Sequence, residues 1–170
     1  MFKIGDTIIY SSHGLCQIDD ITEKTFSGVT KTYYVLHPVD NVHLQINAPI
    51  DNKTISMLEI MTKEQADEIF TLFTLPGIEW IEKNNQRTQI YSSIIKKGNR
   101  KEIAKLINTL MTKKYELEQE GKKFPEYDRK LLLEIQKVLF ADLAISLKTT
   151  PKTIENRVEK LLQISDKQTT

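Results

Sequence analysis

The hydrophobic period of this chain changes once, and that change limits the fold more than any other feature. Up to about residue 60 the apolar residues fall in short, β-prone runs; from Thr62 onward they recur at helical spacing. Within 170 residues, strands followed by helices describe an α+β chain with a β-rich part and an all-helical part.

The first part reads as closely spaced strands. Thr7-Ile8-Ile9-Tyr10 is β-prone and Ser11-Ser12-His13-Gly14 is a turn. Leu15-Cys16-Gln17-Ile18 runs into Asp19-Asp20-Ile21, and Thr25 to Thr30 is a hairpin tip in which Gly28 takes positive φ. Thr32 to Leu36 is a strand ended by Pro38. Val42, Leu44, Ile46 and Ala48 fall on one face of the next, which Pro49 closes, and Thr54 to Leu58 is one more. This spacing predicts a small antiparallel barrel-like or curled sheet.

The second part reads as helices. Thr62 and Gln65 form a capping box ahead of Ala66, Ile69, Phe70 and Phe73, giving a closing helix at about 62–73. Leu75-Pro76-Gly77 breaks it and sets the expected domains at 1–75 and 76–170. Ile90, Tyr91, Ile94 and Ile95 form the next stripe, which stops at Lys96-Lys97-Gly98. Asn99 and Glu102 cap a helix with Ile103, Leu106, Ile107, Leu110 and Met111 inward. After a loop at Gly121 to Pro125 come Leu131, Leu132, Ile135, Val138, Leu139, Leu143 and Leu147. Thr149-Thr150-Pro151 then opens a last helix with Ile154, Val158, Leu161 and Leu162 inward, and Asp166 to Thr170 is a frayed tail.

Composition excludes several classes. A lone Cys16 forms no internal disulfide, and no Cys/His spacing fits zinc. No apolar run has membrane-spanning length, and Phe2-Lys3-Ile4-Gly5-Asp6 is no signal-peptide core, so a cytoplasmic protein is expected. The net charge of +1 hides a gradient. Residues 1–75 carry five lysines and ten acids, a net of −5. Residues 76–114 carry nine basic groups and three acids, a net of +6, and residues 115–170 are neutral. A middle block of that sign suits phosphates, and the acidic first part does not.

Catalysis finds no support. The six glycines form no phosphate-cradling motif. His13 and Cys16 lie close together without a third group to orient a base, and His37 and His43 sit in or near strands facing solvent or a partner. Asp19 and Asp20 are strand neighbours expected on opposite faces. The expectation is a binding protein without catalytic residues, cofactor or metal. Trp80, the sole tryptophan, heads the basic block. Two readings stand: a core residue, or an aromatic that meets bases, flanked by Lys83 and Arg87 and supported by Lys96, Lys97, Arg100, Lys101 and Lys105.

Phe2 to Gly14 resembles the start of the CarD/CdnL family of bacterial transcription regulators. The likeness continues through Ile18, Ile21, the hairpin at Gly28, Tyr34-Val35-Leu36 and Leu44 to Pro49, and more generically through Lys97-Gly98-Asn99 and the Leu131 to Leu147 helix. The resemblance implies a Tudor-like domain that binds the β subunit of RNA polymerase, and a helical domain that touches promoter DNA at the upstream edge of the transcription bubble. There a tryptophan wedges into the minor groove and slows bubble collapse. A similar module occurs in the transcription-repair coupling factor, whose ATPase motifs this chain lacks. By resemblance, Lys24 is the basic polymerase contact, with Thr25, Ile46 and Asn47 beside it, and Asn47 stands where some members have arginine. The DNA-binding set is Trp80, Lys83, Asn84, Arg87, Lys96, Lys97, Arg100 and Lys101. Counting back from Gly98, the family's wedge position falls near Asn84, and Trp80 lies about one helical turn earlier. The expected protein is a monomer whose partners are RNA polymerase and, weakly and mostly without sequence preference, promoter DNA. Two alternatives remain. One is a LuxR-like helix-turn-helix at about 141–162 that reads DNA through Lys152, Thr153, Asn156 and Arg157. The other is a protein–protein adaptor with no DNA contact.

Overall fold

The computed structural model describes residues 1–10, 13–51 and 57–164. The expectations for Ser11 and Ser12, for Thr54 to Ser56 and for the tail at Asp166 to Thr170 lie outside the described residues. The chain divides into two compact units, Met1–Ile60 and Met61–Thr170.

The first unit is one five-stranded antiparallel sheet. β1 (Thr7–Tyr10), β2 (Gly14–Phe26), β3 (Val29–Pro38), β4 (Ile46–Pro49) and β5 (Met57–Glu59) lie in the order β4-β3-β2-β1-β5. The sheet is open: β4 and β5 are its two edges and do not pair with each other, so the barrel-like expectation stops short of closure. The β2–β3 turn is Ser27-Gly28, with φ of 50° and 79°. Two consecutive positive φ values give a turn whose twist matches that of the strands it joins. One face of the sheet buries Ile8, Tyr10, Cys16, Ile18, Tyr34, Leu36 and Ala48.

Two readings of this unit are corrected. Val42 and Leu44 lie in turns, 64% and 39% exposed, because the chain after Pro38 folds back through Asn41 N–H to Pro38 C=O and Leu44 N–H to Asn41 C=O. β4 therefore begins only at Ile46. Asp19 and Asp20 are not regularly alternating strand neighbours either. A bulge leaves Asp19 without a β3 partner, and both carboxylates are exposed. Asp19 Oδ2 meets His37 Nδ1 at 2.7 Å, and Asp20 Oδ1 accepts the Ile21 N–H.

The second unit holds α1 (Lys63–Leu72), α2 (Asn84–Lys97), α3 (Arg100–Gln119), α4 (Glu126–Leu147) and α5 (Pro151–Leu162). Its signals are local and mostly sit where the sequence puts them. Thr62 and Gln65 make a reciprocal capping box, and Asn99 accepts the Glu102 N–H. Gly98 ends α2 in the left-handed region, and Thr150 caps α5 with Pro151 in its first turn. α3 packs against α1, α2 and α4, and α4 also carries α5. The division at Ile60/Met61 differs from the expected one at Pro76, because Ala66, Ile69, Phe70 and Phe73 join the helical core. Two residues assigned to apolar stripes face outward: Ile90 is 40% and Val138 46% exposed. Their helices instead bury Arg87 with Tyr91, and Leu132, Ile135, Leu139 and Leu143 with two aspartates.

Those aspartates, Asp128 and Asp142, are both on α4 and each faces an arginine. Asp142 Oδ2 accepts from Arg100 Nε at 2.6 Å, while its Oδ1 is buried without a hydrogen-bond partner. Burial pushes the Asp142 carboxyl above the ordinary carboxylate range, with Arg100 pulling the other way. A carboxyl whose folded pKa is raised binds more proton folded than unfolded, so its contribution to stability falls as pH rises through that window. Asp142→Asn is therefore expected to gain on the wild type as pH is raised from about 4 to about 7, read by urea unfolding. A variant that falls further behind over that range contradicts the assignment. Gly77 provides a second check: a Cβ there would lie 2.3 Å from Thr109 Oγ1 and 2.8 Å from the Lys105 carbonyl oxygen. Gly77→Ala should cost about 1–3 kcal/mol in the same assay, the range of overpacked cores, and an unchanged midpoint would show that the α3 backbone yields.

Candidate functional site

The connector between α1 and α2, residues 73–83, has no helix or strand of its own. Such a segment leaves its carbonyls without ladder partners, and they must be satisfied from elsewhere. Here side chains of α2 and α3 donate to them. Asn108 Nδ2 donates to Leu72 and Leu75 C=O, Thr109 Oγ1 to Ile78 C=O, and Tyr91 Oη to Glu79 C=O. Arg87 Nη1 donates to Ile81 and Glu82 C=O.

Trp80 sits in this connector, half-buried. Its ring packs 6.4 Å from that of Tyr91 and 6.3 Å from that of Phe124, with the Arg87 guanidinium 4.3 Å from its centre and Lys113 Nζ at 5.6 Å. The indole is thus a packed residue with an accessible remainder, between the two readings the sequence left open. Burial pushes the Tyr91 phenol up from its ordinary value, and its O–H donates to the Glu79 carbonyl.

Arg87 is the clearest correction. It is 3% exposed. Nε donates to both Asp128 oxygens at 3.1 Å, and Nη2 donates to Asp128 Oδ2 and Asn84 Oδ1, each at 2.7 Å. With Nη1 committed to the connector, no N–H is left for a phosphate. Arg100 is drawn to Asp142, so it too is tied to α4 rather than to a surface. Lys101 is exposed but pairs with Glu68 of α1 at 2.8 Å. Lys83, Lys96 and Lys97 are exposed and form no ion pair among the described residues. Lys83 and the Lys96-Lys97 pair stand at opposite ends of α2, about 20 Å apart. At the first of those ends Lys83 is the N-cap, which supplies no side-chain acceptor, and no acid lies in the first turn. The free N–H groups there favour an anion.

In the strand unit the structure brings together residues distant in sequence. Lys24 Nζ donates to Asn47 Oδ1 at 2.8 Å, joining β2 to the edge strand β4 across β3. Thr25 Oγ1 and Thr30 Oγ1 lie 2.7 Å apart at the hairpin, where Phe26 and Val29 are 59% and 55% exposed. Ile46 packs against the sheet core, so only its outer part faces away. Cys16 is fully buried, and burial with the nearby Asp40 charge pushes its thiol up, while His13 stacks on Tyr10 instead. The pair forms no activated nucleophile. In α5, Lys152, Thr153, Asn156 and Arg157 are all exposed, but Lys152 lies 3.3 Å from Glu155 and the Arg157 guanidinium lies 3.8 Å over the Phe70 ring. Among the described residues no helix is long and apolar enough to cross a membrane.

Residues that sequence reasoning missed are Phe124 and Lys113, beside the Trp80 ring, and Asp128, which holds Arg87. One signal was present: Asp128, Leu132, Ile135, Leu139 and Asp142 share one helical stripe, and an acid inside an apolar stripe implies a buried partner.

Comparison with known proteins agrees with this division. The chain is 28% identical over 158 residues to the Bacillus subtilis (strain 168) protein named "Putative transcription factor YdeB", an alignment that takes in 92% of this chain and 99% of that protein. Residues 2–60, which coincide with the open sheet, match the model of the CarD-like/TRCF RID domain. The N-terminal unit of this chain is thus similar to the CarD-like/TRCF RID domain along nearly its whole length.

Proposed function

We propose that this protein is a transcription regulator that docks on the β subunit of RNA polymerase through its strand unit. Its helical unit then rests on promoter DNA near the upstream edge of the bubble and stabilises the open complex. The match of residues 2–60 to the RID domain carries the reading. The edge strand β4 supports it: among the described residues its outer side pairs with no strand, an edge of that kind offers main-chain groups to an incoming strand, and the Lys24–Asn47 pair lies beside it. On the DNA side, support comes from the exposed Lys83, Asn84, Lys96 and Lys97 and from the accessible part of Trp80. Arg87 and Arg100 leave the DNA-binding set for the reasons given above. No catalytic residue enters the mechanism. It works by mass action: polymerase binding raises the local concentration of DNA, so a weak contact suffices.

Charge reversal at Lys24 (Lys24→Glu) is expected to weaken capture by a β-subunit fragment by about tenfold or more, with the helical unit's unfolding unchanged. Unaltered capture would remove Lys24 from the docking surface. Trp80→Ala should shorten open-complex lifetime roughly tenfold, as loss of one stacked aromatic implies, and leave polymerase capture intact. A folded variant with an undiminished lifetime would speak for the adaptor without DNA contact.

A further inference from the structure

We infer that Asp128 is a positioning residue for Trp80, acting through Arg87, so that DNA meets an indole already fixed in orientation. The inference rests on the DNA reading of the helical unit and adds to it a residue on α4, 48 positions away in the chain.

The geometry forms a chain of three. Asp128 is 1% exposed and takes Arg87 through both carboxylate oxygens. A two-oxygen grip on a guanidinium fixes its plane as well as its position. Arg87 in turn holds the connector just beyond its own contact with the ring: Nη1 binds the carbonyls of Ile81 and Glu82, immediately after Trp80, and its Cζ lies 4.3 Å from the indole centre. A cation over an indole is attracted most strongly where water is excluded, as it is here. Nothing in this chain is left to rotate. The guanidinium has spent every N–H, and the ring is also fenced by Tyr91 and Phe124.

A Trp free to sample rotamers would lose that freedom on contact with bases, and a fixed one would not. Asp128 therefore supports DNA contact without touching DNA. It also explains why Arg87 is buried although Lys83, Lys96, Lys97 and Lys101 of the same block are exposed.

The test uses the full chain, in which Trp80 is the sole tryptophan, so its emission reports on this ring alone. The variant is Arg87→Leu with Asp128→Leu, because replacing both partners of a buried ion pair by apolar residues avoids leaving one charge alone. With cooperative unfolding retained, the emission should shift to the red and acrylamide quenching should rise. Open-complex lifetime should fall by the same factor as in Trp80→Ala, with capture by the β-subunit fragment unchanged. If the double variant does not fold, Asp128→Asn, which keeps the shape and one acceptor, carries the same measurements. A folded variant with wild-type emission and quenching overturns the inference. So does one whose emission shifts while its lifetime stays at the wild-type value, provided Trp80→Ala shortens that lifetime. If Trp80→Ala itself has no effect on lifetime, the DNA reading fails, and emission alone decides whether Asp128 positions the ring.

Discussion

The buried ion pair between Arg87 and Asp128 is the constraint on which the helical unit depends. It joins α2 to the first turn of α4, and it ties down the connector that carries Trp80. Its geometry meets the conditions under which such a pair holds: both groups are excluded from water, and every donor of the guanidinium has an acceptor. The second pair on α4, Arg100 with Asp142, is less complete, since one carboxylate oxygen has no partner. The two differ in consequence. The first fixes a segment that bears a surface aromatic, and the second fixes the start of α3.

These pairs change the meaning of the charge gradient. Divided where the structure divides, residues 1–60 hold four lysines and seven acids, a net of −3, and residues 61–170 hold twenty basic groups and sixteen acids, a net of +4. The sign of the contrast survives, but the helical unit takes α1 with Glu64, Asp67 and Glu68. Within the block 76–114, Arg87, Arg100, Lys101, Lys105 and Lys114 each face a carboxylate. Lys83, Lys96, Lys97 and Lys113 remain. A field of four lysines is too thin for tight binding to a phosphate backbone at physiological salt, which is why tethering through the polymerase is central to the proposal.

What the sequence made legible was local. The capping box at Thr62 and Gln65, the Asn99 cap, the Gly98 stop, the Pro151 start and the turn at Gly28 depend on neighbours a few residues away, and they form where those residues lie. The succession of a strand unit and a helical unit was visible in the change of hydrophobic period. What stayed hidden was non-local. Val42 and Leu44 alternate like a strand yet lie in turns, because strand pairing needs a partner and β3 pairs only from Ile46 onward. The unit boundary moved to residue 60 because α1 buries its stripe against α3 and α4. Arg87 looked like a phosphate ligand because its partner is 41 residues away, although it shares a helical stripe with Tyr91 and Ile94.

The central claim is that DNA contact by this chain is weak on its own and becomes effective only when the polymerase holds it. The direct measurement is the affinity of the free full chain for promoter DNA across a salt series. The account predicts a Kd in the non-specific range, about 10⁻⁴–10⁻⁶ M at physiological salt, with a log–log salt slope no steeper than about −4 and little dependence on sequence. Nanomolar binding to one sequence by the chain alone, with the polymerase absent, would contradict it.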